Sequence, residues 1–367
     1  MPVCFGNEEV IFHLETLLTE ARRGKAAYFV GLLLSDSGEQ LSGGWSGLNY
    51  LEQHALDSLD RLSAGLNTAI YNKKLPDRTG KEPADRVCYN VTQAPTSFDF
   101  INWLADAEAT RLREGAPAPL KVAFWFGRDH KTGLESELRS RMFHHVVKPA
   151  LALFGAVEDP AAVDGRIKNF YSTRDIVANY AIGIPMPELR APADMAEAMR
   201  AQFGGAVTIT LREAAYFPER NSNIDDWIRF AYYLRDQGER VVFVRDTAKA
   251  HEPIEGFETC AEASIDLHCR LALYEAAKIN LFTSNGPASL GVYSRWPWLA
   301  FFKTEPDGHG YAPATPSFWR DNFGVEVGSQ YPWSAPDQRI IWSDDSYESL
   351  VSAWEDLYRV ERDSAAA

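Results

Sequence analysis

Apolar and polar positions alternate between two periods along this chain, and the switches between them mark its parts. "NEEVIFHLETLLTEARRGK" carries apolar residues at helical spacing and stops at Gly24; "AAYFVGLLLSDSGEQLSGGWSG" reads as two strands around a turn, and "LNYLEQHALDSLDRLSAGL" as a second amphipathic helix. Residues 1–70 are therefore expected to form a small α+β unit of helix, hairpin and helix. The polar, proline-bearing stretch 71–85 has no apolar period and reads as a linker. After it, "RVCYN", "LKVAFWFG" and "RIKNFYST" are strand-like, and helical patterns stand between them, beginning near a Thr96 or Ser97 cap and at "LRSRMFHHVVKPALALFG". A second alternating run follows the prolines of "IGIPMPELRAP": strands "AVTITL", "RVVFVR", "INLFTS" and "WPWLAFF", with helices between them. Strands that alternate with helices predict parallel sheets, one in 86–190 and one in 191–345, each covered on both faces. "YESLVSAWEDLYRVERDS", within 346–367, reads as a closing amphipathic helix.

Composition narrows the partners more than the fold. The 367 residues carry a formal net charge of -14, so no broad cationic face for nucleic acid or anionic lipid is expected, although a local cationic pocket and peripheral membrane contact stay open. Four cysteines without a C-x-x-C pair indicate neither a zinc ribbon nor a disulfide framework, and suggest reduced thiols in a cytoplasm. The start "MPVCFGNEEV" lacks the features of an export signal, and "AAYFVGLLL" is far short of the roughly 20 residues of a membrane span. The 1–70 unit is a candidate surface for a protein partner.

The chemistry gathers where strands end. In sheets of this kind ligands bind beyond the carboxyl ends of the strands. "TITL" runs directly into Arg212 and Glu213, and Arg220 with Asn221 stands just before a helix start at "NSN". Guanidinium groups and free amides at a helix start suit a phosphate or diphosphate; the plain alternative is an Arg212–Glu213 ion pair with Arg220 in solvent. "RVVFVR" ends in Arg245 and Asp246. "INLFTS" ends in Ser284, Asn285, Gly286 and Pro287, a turn able to receive a phosphate or sugar hydroxyls. Upstream, Asp266 and Arg270 share a helical face, where they also suit an i, i+4 pair, and Glu275 is a candidate for a ribose.

The stretch "DLHCRLALYEAAKINLFTSNGPASLGVYSRWPWLAFF", with "TLRE" before it, resembles the donor-binding half of GT-B glycosyltransferases, the heptosyltransferase-like group in particular. The resemblance covers roughly 86–355. It implies an α/β fold of two Rossmann-like β/α domains facing a cleft, the first for the acceptor and the second for a nucleotide-diphosphate sugar. Arg212, Ser284, Asn285, Gly286, Pro287 and Ser289 would then belong to the donor site, and the last helix would cross back to brace the first domain. The implied activity is transfer of a sugar to an acceptor hydroxyl, as in surface polysaccharide or glycoconjugate synthesis. Epimerisation of a nucleotide sugar, and nucleotide or glycan binding without catalysis, are the alternatives. No Asp-x-Asp occurs, so no metal and no cofactor is expected, and arginines with helix amides would meet the diphosphate charge.

"FGRDHKTG" follows a buried strand but lacks the P-loop spacing. Asp129 and His130 in it are candidates for the base that deprotonates the acceptor, and Arg128, Arg139, Arg141 and Arg174 for holding an anionic acceptor. His144 and His145 have no third ligand at metal spacing and read as one packed and one surface residue. In the Gly- and Pro-rich loop 306–324, Tyr311, Phe318 and Trp319 are candidates for stacking on a base or sugar.

Overall fold

A computed structural model describes residues 83–91, 94–126, 137–167, 173–214, 218–303 and 315–366. The expected helix-hairpin-helix unit of 1–70, nearly all of the linker, Arg128, Asp129, His130 and Tyr311 lie outside the described residues. The chain divides into two compact units. The first takes the described residues up to Tyr171 together with Arg190–Glu197 and Ile265–Leu271; the second takes Ser172–Leu189, Ala198–Ser264 and Ala272–Ala367.

The chain order is β1 (Arg86–Asn90), α1 (Asp99–Arg113), β2 (Lys121–Trp125), α2 (Glu137–Met142), a π-turn at Phe143–Val147, α3 (Lys148–Leu153), β3 (Val157–Glu158) and β4 (Arg166–Ile167). Then come α4 (Thr173–Ala181), α5 (Ala193–Phe203), β5 (Val207–Thr210), α6 (Ile224–Asp236), β6 (Val241–Val244), β7 (Glu258–Thr259), α7 (Ala261–Ile265), α8 (Leu267–Ala276) and β8 (Ile279–Thr283). The chain closes with α9 (Ala288–Val292), β9 (Trp298–Phe301), α10 (Pro316–Phe318), β10 (Gln338–Ile341) and α11 (Tyr347–Ala366).

Both sheets are parallel, as the alternating pattern predicts. The first is four-stranded in the order β3-β2-β1-β4, and the second six-stranded in the order β10-β9-β8-β5-β6-β7. Starting from β5, the second sheet grows outward through β6 and β7, then resumes on the other side of β5 with β8, β9 and β10. That is the doubly wound Rossmann order, and its direction reverses between β5 and β8.

In the second unit, alternate residues of β5 and β8 serve two different faces. Val207, Ile209, Leu211, Ile279 and Leu281 join Trp227, Phe230 and Leu234 of α6 in an apolar core. On the opposite face polar residues are buried and paired: Thr208 Oγ1 donates to Asn280 Oδ1 at 2.6 Å, the Thr210 and Tyr274 hydroxyls meet at 2.7 Å, and Asn280 Nδ2 donates to the Tyr274 carbonyl at 3.0 Å. A ladder of this kind fixes the β5–β8 register, because a slip would leave buried polar groups unpaired.

Several expectations change. The last helix belongs to the second unit, and its Leu350, Ala353, Trp354 and Leu357 enter that unit's core, with Trp354 6.2 Å from Phe230. Part of the predicted 306–324 loop is helical, as α10 and the π-turn Trp319–Phe323. His145 is buried rather than on the surface, because the distant segment Ile265–Leu271 covers it and puts Asp266 Oδ2 3.8 Å from its Nδ1.

Candidate functional site

The reversal between β5 and β8 opens the place where the carboxyl ends of two neighbouring strands diverge into separate loops. Register pairs Thr210 with Phe282 there, so the residues that follow each strand leave the sheet side by side. On the β5 side the chain turns back on itself: the Arg212 N–H donates to Ser222 Oγ at 2.8 Å, and the Ser222 N–H donates to the Arg212 carbonyl at 2.9 Å. Arg212 Nη1 donates to Asn221 Oδ1, which also accepts the Ala214 N–H at 3.0 Å, while Asn221 Nδ2 donates to the Ala214 carbonyl at 2.9 Å. The 3-10 turn Pro218–Arg220 then carries the exposed Arg220 to the neighbouring loop, where its Nη2 donates to the Ser284 carbonyl at 3.2 Å.

On the β8 side, Asn285 ties the turn down at both ends of its amide. Nδ2 reaches the Thr210 carbonyl at 3.5 Å, and Oδ1 accepts the Ala288 N–H at 3.2 Å. Ser284, Asn285, Gly286, Pro287 and Ser289 are all half-buried. The structure thus brings Arg212, Arg220, Asn221 and the 284–289 turn together at one edge of one unit. The loop 211–223 holds no glycine, unlike the glycine-rich turn of the dinucleotide fingerprint.

Other expected members are placed elsewhere or already engaged. Glu213 does not pair with Arg212; it takes both forks of Arg245, through Nε at 2.9 Å and through Nη2, with Lys249 Nζ at 3.5 Å. Arg245 also donates to the Glu252 carbonyl at 2.9 Å, so this buried guanidinium is held by protein acceptors. Burial raises the Glu213 carboxyl pKa, but the bonded Arg245 outweighs it and the net shift is downward. Asp266 and Arg270 group with the first unit. Asp266 Oδ1 caps α8 by accepting the His268 and Cys269 amides at 2.9 and 3.0 Å, and Arg270 lies over the Phe98 ring at 5.3 Å rather than forming an i, i+4 pair. Glu275 is half-buried near the end of α8.

In the first unit, Arg139 Nη2 donates to the Val91 and Ala94 carbonyls at 3.1 and 3.3 Å, which braces the loop after β1. Arg141 meets Glu137 at 3.2 Å, and Arg174, in the second unit, is exposed beside Asp175. Trp319 is core, with Phe302, Phe323 and Trp342 around it at 4.8, 5.0 and 5.8 Å, so it has no free face for a ligand.

The start of α6 also differs from expectation. Its entry amide, the Asn223 N–H, donates to Asp345 Oδ2 at 2.9 Å, and the buried Trp227 Nε1 donates to the same oxygen at 2.7 Å. A carboxylate of the chain itself therefore sits where an anion at this helix start was expected, and acidic Asp225 and Asp226 follow in the first turn.

Two further residues at the edge were not singled out in the sequence. Thr283, last in β8, is buried, and its hydroxyl has no hydrogen-bond partner among the described residues. Lys303, exposed just beyond β9, adds a cation. "FFKTEP" carries the same signal as "TLRE", a charge directly after an apolar strand, and would have identified it. Among the described residues, no group of three or more His, Cys, Asp or Glu side chains could hold a metal ion, and no helix is long and apolar enough to cross a membrane.

No protein-family model matches the chain, and no curated protein matches it. Solved structures similar to it include TibC, an iron-containing dodecameric glycosyltransferase of enterotoxigenic E. coli, at TM-score 0.43 and 15% identity over 77% of this chain and 78% of that one. Others are the E. coli ADP-heptose LPS heptosyltransferase II, at 0.35 and 12% over 81% of each chain, and a glycosyl transferase family 9 structure from Veillonella parvula, at 0.39 and 12% over 78% and 99%. They come from the group that the sequence resembles. At these TM-scores the likeness carries no argument about the chemistry of this chain.

Proposed function

We propose that the chain is a glycosyltransferase that binds a nucleotide-diphosphate sugar at the β5–β8 edge of its second unit and passes the sugar to an acceptor hydroxyl. The observation that carries this reading is the contact of Arg220 Nη2 with the Ser284 carbonyl at the point where strand order reverses. One guanidinium N–H holds the neighbouring turn, and the remaining donors of an exposed Arg220 are available to a diphosphate. Charge grows on the leaving nucleoside diphosphate as the sugar departs, so a fixed cation beside it stabilises the transition state more than the ground state. Arg212 lines the floor of the same edge, and Ser284 and Ser289 supply hydroxyls. Asp129 and His130 stay the proposed acceptor bases, and Arg128, Arg139 and Arg141, all of the first unit, the proposed contacts of an anionic acceptor. Glycan or glycoconjugate hydroxyls are the proposed acceptor class.

A thermal-shift screen with ADP, UDP, GDP and CDP tests the binding step, since a ligand that binds only the folded state raises Tm. At least one should raise it, and Arg220→Ala should remove most of that shift. Equal shifts in the wild type and Arg220→Ala would refute the assignment. Incubation with a panel of nucleotide sugars then separates an enzyme, which releases nucleoside diphosphate, from a protein that only binds.

A further inference from the structure

The reading above leaves Arg220 with an exposed guanidinium at the end of a loop, and a loop places a charge well only if something stiff holds it. The loop is held at its neck. Both acceptor lone pairs of the Asn221 amide are engaged, one by Arg212 Nη1 and one by the Ala214 N–H at 3.0 Å, and its Nδ2 donates to the Ala214 carbonyl at 2.9 Å. The amide group thus pairs with Ala214 as a neighbouring strand would, and receives the Arg212 side chain at the same time. Ser222 pairs with the Arg212 backbone in both directions, and is buried with Arg212 at 7% and 6% exposure. Beyond this neck the Pro218–Arg220 turn is stiffened by a proline at its first position.

We propose that Asn221 is a positioning residue for the anion site: its side chain does not touch the ligand, but sets the Arg212 guanidinium and closes the neck that aims Arg220 at the β8 turn. The proposal rests on the diphosphate reading. It separates Asn221 from the ligand-contacting residues, because the amide oxygen that a phosphate contact would compete for is already bound to Arg212.

Two substitutions split the roles of the amide. Asn221→Ala removes one acceptor of Arg212 and the pairing with Ala214. Asn221→Asp keeps acceptors for Arg212 and the Ala214 N–H, loses the donor to the Ala214 carbonyl, and adds a negative charge near the anion site. Titration with inorganic pyrophosphate, well below each variant's Tm, reads the anion site without any assumption about the base. Asn221→Ala should weaken pyrophosphate binding about tenfold or more, the worth of one charge-assisted hydrogen bond. Asn221→Asp keeps a partner for Arg212, so at about 1 M salt, where its added charge is largely screened, it should bind pyrophosphate better than Asn221→Ala. Arg220→Ala should lose at least as much as Asn221→Ala.

If Asn221→Ala binds pyrophosphate like the wild type while Arg220→Ala does not, the positioning role is overturned and the diphosphate reading stands. Equal losses in Asn221→Ala and Asn221→Asp at about 1 M salt also overturn it, since a role through Arg212 predicts partial rescue by the acid once its charge is screened. A wild-type protein that binds neither pyrophosphate nor any nucleoside diphosphate overturns both.

Discussion

The carboxylate of Glu213, almost wholly removed from solvent, lies in the fork of Arg245 with Lys249 3.5 Å away. Taking a carboxylate out of water raises its pKa, yet the hydrogen-bonded Arg245 and the added charge of Lys249 prevail, and the group titrates below the ordinary Glu range. A carboxyl whose folded pKa is depressed adds stability that is fully present above its unfolded value, about 4.3, and is lost as pH falls through the folded one. Glu213→Gln leaves the buried Arg245 with one amide oxygen, the Glu252 carbonyl and an exposed carboxylate, so at pH 7 it should cost toward the lower end of about 3–5 kcal/mol. Denaturant melts from pH 7 to pH 3 check both statements together: the gap between wild type and Glu213→Gln should narrow as the wild type protonates, and a gap independent of pH would mean that the pair contributes little. Sequence supplied the members of this network but not the pairing, because Glu213 and Arg245 end different strands and meet only once β5 and β6 are in register.

At the scale of elements, α6 shows most clearly what a local pattern can and cannot carry. Its apolar stripe and its stop are both legible: Gly238 takes φ of +86°, and the Glu239 N–H closes back onto the Leu234 carbonyl at 3.0 Å. Its start is not, since the partner of the Asn223 amide and the Trp227 indole is Asp345, far along the chain. Asp345→Ala should leave a buried indole N–H without a partner and cost about 1–3 kcal/mol, read as a lowered denaturant midpoint. Asp345→Asn, which keeps an acceptor oxygen, should cost less; equal losses would show that charge at the helix start matters more than the indole bond. The close approach of α4 to the chain after the Trp319–Phe323 π-turn is a second case. Gly324 has φ of +69°, and a Cβ there would lie 2.8 Å from the Arg174 Cα, so Gly324→Ala should cost more than about 1 kcal/mol in the same melts. Sequence read this region as loop because its prolines and glycines hide the two short helical turns.

For the whole molecule, strand and helix alternation was enough to give two parallel sheets, because buried parallel strands announce themselves as short continuous apolar runs. Strand order was not, and it is the order that sets the ends of β5 and β8 side by side at the proposed site. β3, β4 and β7 are two residues each, too short for any period to register. The charge of the molecule then makes a prediction that the site alone does not. A net charge of -14 repels an anionic ligand at long range, whereas in the proposed site Arg220, Arg212 and Lys303 would attract it at contact. Screening separates the two: the Debye length is about 30 Å at 0.01 M salt, about 8 Å at 0.15 M and about 3 Å at 1 M. At the lowest salt distant carboxylates still act on the ligand, at intermediate salt they are screened while close cations act in full, and at high salt the close contacts weaken too. Pyrophosphate affinity should therefore change little, or pass through a shallow maximum, between 0.01 and 0.15 M, and fall toward 1 M. A steep continuous fall from the lowest salt upward, the behaviour of a broad cationic surface, would show that the remaining charge of the chain does not oppose the site and that the acidic composition has no bearing on its ligand.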